Sequence, residues 1–218
     1  YRWGQNADVV IRMPTGAGVG AGPFHSQSNE AWFSHTPGLK VLYPSSPEDA
    51  KGLMLAAIED PNPVMIFEHK ALYRSLTGLV PKNYYVTPIG KANLVEEGND
   101  LSIITYGMGV HWAKKAVKEK NISADILDLR TLLPLDKDSI FKSVKKTNKV
   151  LILHEDCLTG GIGGEVSSLV NENCFEDLDA PIVRCASIDT PVPFASDLEN
   201  QFLANKNLNK KIDYLLNY

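Results

Sequence analysis

Short apolar runs alternate with helix-period segments along this chain. Val9-Val10-Ile11-Arg12 reads as a short strand. A glycine-rich loop, Gly16-Ala17-Gly18-Val19-Gly20-Ala21-Gly22, follows, and glycine at every second place favours an irregular backbone that can approach another group closely. Ser28-Asn29-Glu30 opens a helix that Pro37-Gly38 stops, and Lys40 to Tyr43 reads as a strand ended by Pro44. Ser46-Pro47-Glu48-Asp49 is a strong helix opening, with a capping serine, proline at the first helical position and acids in the first turn. Leu53, Ala56 and Ala57 give that helix its apolar face, and Asp60-Pro61 ends it. Val64-Met65-Ile66-Phe67 is a continuous apolar run, as expected of a strand buried on both faces.

Residues 69–88 lack periodicity and carry Pro81 and Pro88. A second alternating series follows: strands at 101–106, 124–129, 150–154 and 182–186, helices at 110–120, 136–146 and 161–173, then C-terminal helical material. Such alternation implies an α/β fold of parallel sheets covered by helices. The division read from it is a first domain at 1–70, a linker at 71–88 and a second domain at 89–218. The first series offers only three strands, against roughly 5–6 in a usual sheet. Three strands would leave an open sheet edge and an uncovered apolar face. Together with a start, Tyr1-Arg2-Trp3-Gly4, that has neither an initiator Met nor a signal-peptide core, this leads to the expectation that the first domain lacks its front part.

A formal net charge of -4 gives no electrostatic reason to expect nucleic acid or an anionic membrane as partner. No apolar run approaches the roughly 20 residues that span a bilayer. Three cysteines, odd in number and far apart, argue against a disulfide framework or zinc knuckle and favour a reducing compartment.

Neither glycine-rich segment meets the dinucleotide-loop spacing: Ala21 and His25 stand where the first would need glycine, and Val166 where Thr159-Gly160-Gly161-Ile162-Gly163-Gly164 would. The second still opens a helix after a strand, where an anion could sit; a tight turn is the alternative. Of the five histidines, His25 lies between the glycine-rich loop and a helix start. A loop histidine over a rigid sheet is an acid–base candidate, or simply a surface or capping residue. His154 ends a buried strand at a sheet edge where α/β domains place ligands, with a hydrogen-bonded structural histidine as the favoured alternative. Asp60-Pro61-Asn62-Pro63, at a helix C-terminus, suits a cation or is a plain turn.

As a set, the motifs resemble the β-subunits of thiamine-diphosphate-dependent 2-oxo acid dehydrogenases. The resemblance rests on Ile11-Arg12-x-Pro14-x-Gly16, His25-Ser26-Gln27, His35-x-Pro37-Gly38-Leu39-Lys40-Val41, Pro47-x-Asp49-Ala50-Lys51-Gly52-Leu53 and Ile58-x-Asp60-x-Asn62-Pro63. It continues with Asp128-Leu129-Arg130-Thr131-Leu132-x-Pro134-x-Asp136, His154-Glu155, Leu158-Thr159-Gly160-Gly161 and Asp189-Thr190-Pro191-x-Pro193, in order and nearly end to end. It implies a pyrimidine-binding domain of transketolase type followed by a transketolase C-terminal domain. It also implies thiamine diphosphate shared with an α-type partner that holds the diphosphate and magnesium. By the same resemblance the glutamate that activates the cofactor falls upstream of Tyr1 and is assigned to no residue present, Glu30 included. His25 matches the family histidine that assists reductive acylation of the lipoyl group. Val9, Ala57, Ile58, Asp60 and Asn62 match a structural potassium site built mostly of backbone carbonyls. The resemblance attaches no phosphate to residues 159–164.

His25-Ser26-Gln27-Ser28-x-Glu30-Ala31 and Glu68-x-Lys70-x-Leu72-Tyr73-Arg74 are more similar to branched-chain enzymes than to pyruvate ones. Pyruvate or acetoin dehydrogenase is the alternative, and a non-catalytic assembly fragment a third. The implied partners are the α-type chain, a second β chain in an α2β2-like assembly, and a lipoylated acyltransferase core. The implied location is bacterial cytoplasm or the mitochondrial matrix. The chain alone is expected to be inactive.

Overall fold

The computed structural model describes residues 4–218, so the N-terminal tripeptide read above lies outside it. The first series is β1 (Val10–Thr15), α1 (Gly22–His25), α2 (Glu30–Ser34), β2 (Lys40–Leu42), α3 (Pro47–Glu59), β3 (Val64–His69) and α4 (Leu72–Ser75). The second is β4 (Asn93–Glu96), β5 (Leu101–Thr105), α5 (Met108–Lys120), β6 (Ala124–Asp128), β7 (Thr131–Leu133), α6 (Lys137–Thr147), β8 (Val150–Cys157), α7 (Ile162–Cys174), β9 (Val183–Ser187), α8 (Ser196–Phe202) and α9 (Asn205–Leu216).

Local chemistry sets the helix ends. Ser46 Oγ accepts the Asp49 N–H at 3.1 Å to start α3, and Asp136 Oδ1 accepts the Ser139 N–H at 3.3 Å to start α6. Asn121 and Asn148 close α5 and α6 in the left-handed conformation, at φ 52° and 60°.

Two sheets result, one in the order β1-β3-β2-β7 and one in the order β4-β6-β5-β8-β9. Their strands alternate between two cores, as a period of two requires when both faces are covered. Met65 and Phe67 of β3 join Ile104, Leu127, Leu129 and Ile152 in one core shared by both sheets. Val64 and Ile66 turn the other way, onto Leu53 and Ala57 of α3. Leu101, Ile103, Ile126 and Leu151 pack on Val110, Ala113, Leu208 and Ile212 of α5 and α9.

Of the two edges of the first three strands, the one at β2 is covered, while β1 is the outer strand on the other side among the described residues. Strand β7, which sequence reading missed, leaves the second series and pairs antiparallel with β2, Val41 opposite Leu133. The Asp128-Leu129-Arg130-Thr131 segment makes that crossing. Asp128 accepts from Ser45 Oγ at 2.5 Å, Arg130 reaches Asp49 at 2.9 Å, and the Tyr43 N–H donates to the Arg130 carbonyl at 2.8 Å. Antiparallel β4, also missed, covers the outer edge of β6.

Candidate functional site

At the carboxyl end of β1 the chain enters residues 16–22, with Gly16, Gly18, Gly20 and Gly22 at φ 99°, 81°, 67° and 60°. Alternating left-handed residues turn successive N–H groups to one side and form an anion-binding nest. Carboxylates of this same chain fill it. Ala17 N–H donates to Glu155 at 2.7 Å, Gly18 N–H to Glu199 at 2.9 Å, and Gly20 N–H to both Glu199 oxygens at 3.3 and 3.1 Å. A phosphate has no place there, which agrees with the failed dinucleotide spacing.

Gly22 opens the single turn α1, and a Cβ at Gly22 would meet the Phe194 ring at 2.3 Å. Phe194 also packs on Phe24, their ring centroids 6.1 Å apart. His25 is the last residue of this turn and is exposed. Ser26 N–H bonds the Gly22 carbonyl at 3.1 Å, and Thr15 Oγ1 bonds the Gln27 carbonyl, so the two ends of the segment are tied. An imidazole on a braced, solvent-facing turn at a strand's carboxyl end is placed for proton exchange with a bound molecule. A cleft of about 300 Å³ adjoins the segment, lined by Gln27, Ser28, Trp32, Glu155, Asp156 and Thr190 among others.

Beneath the segment runs a buried polar seam. His69 Nε2 meets Glu155 Oε2 at 2.7 Å, and Ser28 Oγ donates to Glu155 Oε1 at 3.3 Å. Glu30 is fully buried and accepts from Tyr106 Oη at 2.8 Å, while its second oxygen has no partner among the described residues. Burial, reinforced by Asp156, pushes the Glu30 carboxyl up to about 8, so it holds its proton at neutral pH. Burial and neighbouring Glu155 raise Asp156 to about 6. Glu30 is thus a protonated, buried member of the seam, bonded to Tyr106.

His154 follows its structural alternative. It is fully buried, stacks on Tyr106 with centroids 6.3 Å apart, and burial lowers it to about 4. A Cβ at Gly161 or Gly163 would strike its ring at 2.6 or 2.5 Å, so those glycines give room to a histidine, not to a phosphate. Thr159 is held by Asp189 through contacts of 2.9 and 2.7 Å.

Of the residues read as a cation site, Ala57 and Ile58 end α3, Asp60 and Asn62 lie in the turn after it, and Val9 lies beside Val64. The Val9 carbonyl accepts from Val64 N–H at 2.9 Å, and the Ala57 carbonyl accepts from Asp60 N–H at 3.4 Å. Asp60 pairs with Lys40 through one oxygen and accepts from Asn62 through the other, at 2.9 and 3.0 Å. Its carboxylate is therefore already neutralised, and carbonyl oxygens with spare lone pairs are what the turn could offer a cation. Among the described residues no cluster of three His, Cys, Asp or Glu side chains could hold a metal ion, and no described helix is long and apolar enough to cross a membrane.

His69, Glu155, Glu199 and Tyr106 were missed as site residues. The available signal was position: His69 and Glu155 each lie just beyond an apolar strand run.

The transketolase C-terminal domain family matches residues 90–207, and the transketolase pyrimidine-binding domain family matches residues 1–75. The chain is 48% identical over 201 residues to the 2-oxoisovalerate dehydrogenase subunit beta of Bacillus subtilis (strain 168), covering 90% of this chain and 62% of that protein. It is 42% identical over 202 residues to the mitochondrial 2-oxoisovalerate dehydrogenase subunit beta 2 of Arabidopsis thaliana, covering 91% and 56%. It is 45% identical over 208 residues to the acetoin:2,6-dichlorophenolindophenol oxidoreductase subunit beta of Bacillus subtilis (strain 168), covering 93% and 60%. The chain thus spans about three-fifths of the length of these relatives. A solved split-gene transketolase, described as an inactive beta4 tetramer, shares the fold with a TM-score of 0.77 at 22% identity, over 97% of this chain and 67% of that one. The chain belongs to the transketolase family, in the group that holds the β subunits of the 2-oxo acid dehydrogenases.

Proposed function

We propose that this chain is the β-side part of a branched-chain 2-oxo acid dehydrogenase, in which His25 assists transfer of the acyl group to a lipoyl acceptor. The observation that carries this is the 48% identity to a 2-oxoisovalerate dehydrogenase β subunit, with His25 exposed on a turn tied by Thr15 on one side and by Glu155 and Glu199 on the other. Similarity of 45% to an acetoin enzyme keeps a second substrate class in the test.

Bound thiamine diphosphate would supply the electron sink for decarboxylation. The nest at residues 16–22 is filled, so this chain offers the diphosphate no site there, and an α-type partner would hold it with magnesium. His25 would meet the reacting end and hold or deliver a proton. Carbonyls of Val9, Ala57, Ile58, Asp60 and Asn62 would hold a potassium ion that braces the end of α3. The further partners are a second β chain and a lipoylated acyltransferase core, in bacterial cytoplasm or the mitochondrial matrix. The two units would divide at the linker 71–88, each contributing strands to the first sheet.

The test is His25→Ala in the assembly with the α-type partner, assayed for lipoyl acylation with branched-chain acids, pyruvate and acetoin. Loss of about 100-fold or more, comparable to removal of an acid–base group, is expected with a branched-chain acid as preferred substrate. Near-normal turnover would overturn the role of His25, and a preference for acetoin or pyruvate would overturn the substrate class.

A further inference from the structure

We propose that Glu199, a residue of the second domain, is a positioning residue for His25. This rests on the reading of His25 above. The nest glycines have more backbone freedom to lose than any other residue, so nothing in their own sequence fixes the turn that follows. Glu199 lies 181 residues from Gly18, is 4% exposed, and turns both carboxylate oxygens onto the Gly18 and Gly20 N–H groups. No Lys, Arg or His among the described residues forms an ion pair with it. A buried carboxylate without a cation is held by charge-assisted bonds from amides, and those are the bonds that shape the loop.

The geometry passes directly to His25. Gly22 is both the last nest residue and the first residue of α1, which ends at His25. Two further contacts come from the same side of the molecule: Glu155 on Ala17 N–H, and Phe194 against Gly22 and Phe24. Beside the Thr15–Gln27 tie, the second domain therefore helps set where the imidazole stands, and Glu199 grips the glycine-rich part of the path. Glutamine would place an NH2 group against one of these N–H donors, so the carboxylate is chemically specified and not merely a shape.

The experiment compares Glu199→Gln, Glu199→Ala and His25→Ala in the assembly with the α-type partner, with amide hydrogen exchange of the same chains. A misplacement of about 1 Å at a reacting group costs on the order of 100-fold. The expected result for Glu199→Ala is a fall in lipoyl-acylation kcat of about 10- to 100-fold with KM for the 2-oxo acid unchanged, and a smaller fall for Glu199→Gln. Exchange at Gly18 and Gly20 should quicken in both variants while core amides of β5 and β8 keep their protection, which separates loosening of the loop from general unfolding. Wild-type turnover in Glu199→Ala beside a dead His25→Ala would overturn the positioning role and leave the His25 reading intact. Full activity in His25→Ala would overturn the reading itself. Should Glu199→Ala not fold, Glu199→Gln carries the test alone, and unchanged Gly18 and Gly20 exchange there would overturn the proposal.

Discussion

His69 Nε2 lies 2.7 Å from Glu155 Oε2, tying the end of β3 to β8 across 86 residues of sequence. Both side chains are almost wholly buried, at 1% and 5% exposure. Removing one partner of a buried hydrogen bond leaves the other unsatisfied, at a cost of about 1–3 kcal/mol. His69→Ala and Glu155→Ala should each lose stability in that range by urea denaturation, and the double variant should lose clearly less than their sum. Additive losses would show that the two residues act independently.

Gly16 depends on the same contact. Its φ is 99°, and an added Cβ would lie 2.4 Å from His69 Nε2, in the ring that meets Glu155. Gly16→Ala therefore combines backbone strain with a displaced histidine, each worth about 1–3 kcal/mol. The expected outcome is a loss of about 2–6 kcal/mol that shrinks when His69 is also replaced by alanine. Gly18→Ala, where none of the described residues lies within 4 Å of an added Cβ, should cost only the strain of its φ of 81°.

The strands and helices were legible because periodicity reports burial locally: Val64-Met65-Ile66-Phe67 is apolar on both faces, and the strand is buried on both. Ser46 and Asp136 announced helix starts through side-chain bonds spanning three residues. The edge strands β4 and β7 were not legible, since half of Asn93–Glu96 is exposed and Thr131–Leu133 is three residues long, and their pairing is decided by distant strands. His25 was visible only as a loop histidine until the whole motif series was read together. Glu199 carried no local signal at all, because its partners are backbone N–H groups that sequence does not distinguish.

Stability should fall with rising pH through neutrality, and Glu30 is the main cause. Its ordinary value of 4.5 is raised to about 8 by burial and then by Asp156. Between those values the folded chain holds a proton that the unfolded chain has lost, so folding is progressively disfavoured as pH rises through that window and levels off above it. Asp128 at about 7 and Asp156 at about 6 act in the same direction. His154, lowered by burial from 6.5 to about 4, acts oppositely and weakens the fold as pH falls across that interval. Glu30→Gln keeps an acceptor for Tyr106 and mimics the protonated acid. It should match the wild type near pH 5 and exceed it at pH 8.5, by on the order of 3 kcal/mol in urea titrations. Parallel pH profiles for the two proteins would show that Glu30 does not titrate in this window.

The Lys40–Asp60 pair gives the potassium proposal a form that can be tested on the chain itself. Burial works to raise the Asp60 carboxyl, but the bonds from Lys40 and Asn62 outweigh it and leave it below its usual value. A carboxylate held this way stabilises the fold at neutral pH and loses that contribution as pH falls through its lowered titration. With its charge met by Lys40, the turn would attract an ion through carbonyl oxygens at the C-terminal, negative end of α3, not through the side chain. Asp60→Asn should therefore lower stability by about 1–2 kcal/mol yet keep any preference for potassium. A millimolar site in 0.1 M potassium chloride adds about 2.7 kcal/mol over an ion that does not bind. Thermal unfolding in potassium chloride and in tetramethylammonium chloride at equal ionic strength measures that difference directly. A higher Tm in potassium for both the wild type and Asp60→Asn is the expected result. Equal Tm values in the two salts would remove the ion from the turn, and a preference abolished by Asp60→Asn would transfer the ligand role from the carbonyls to the carboxylate.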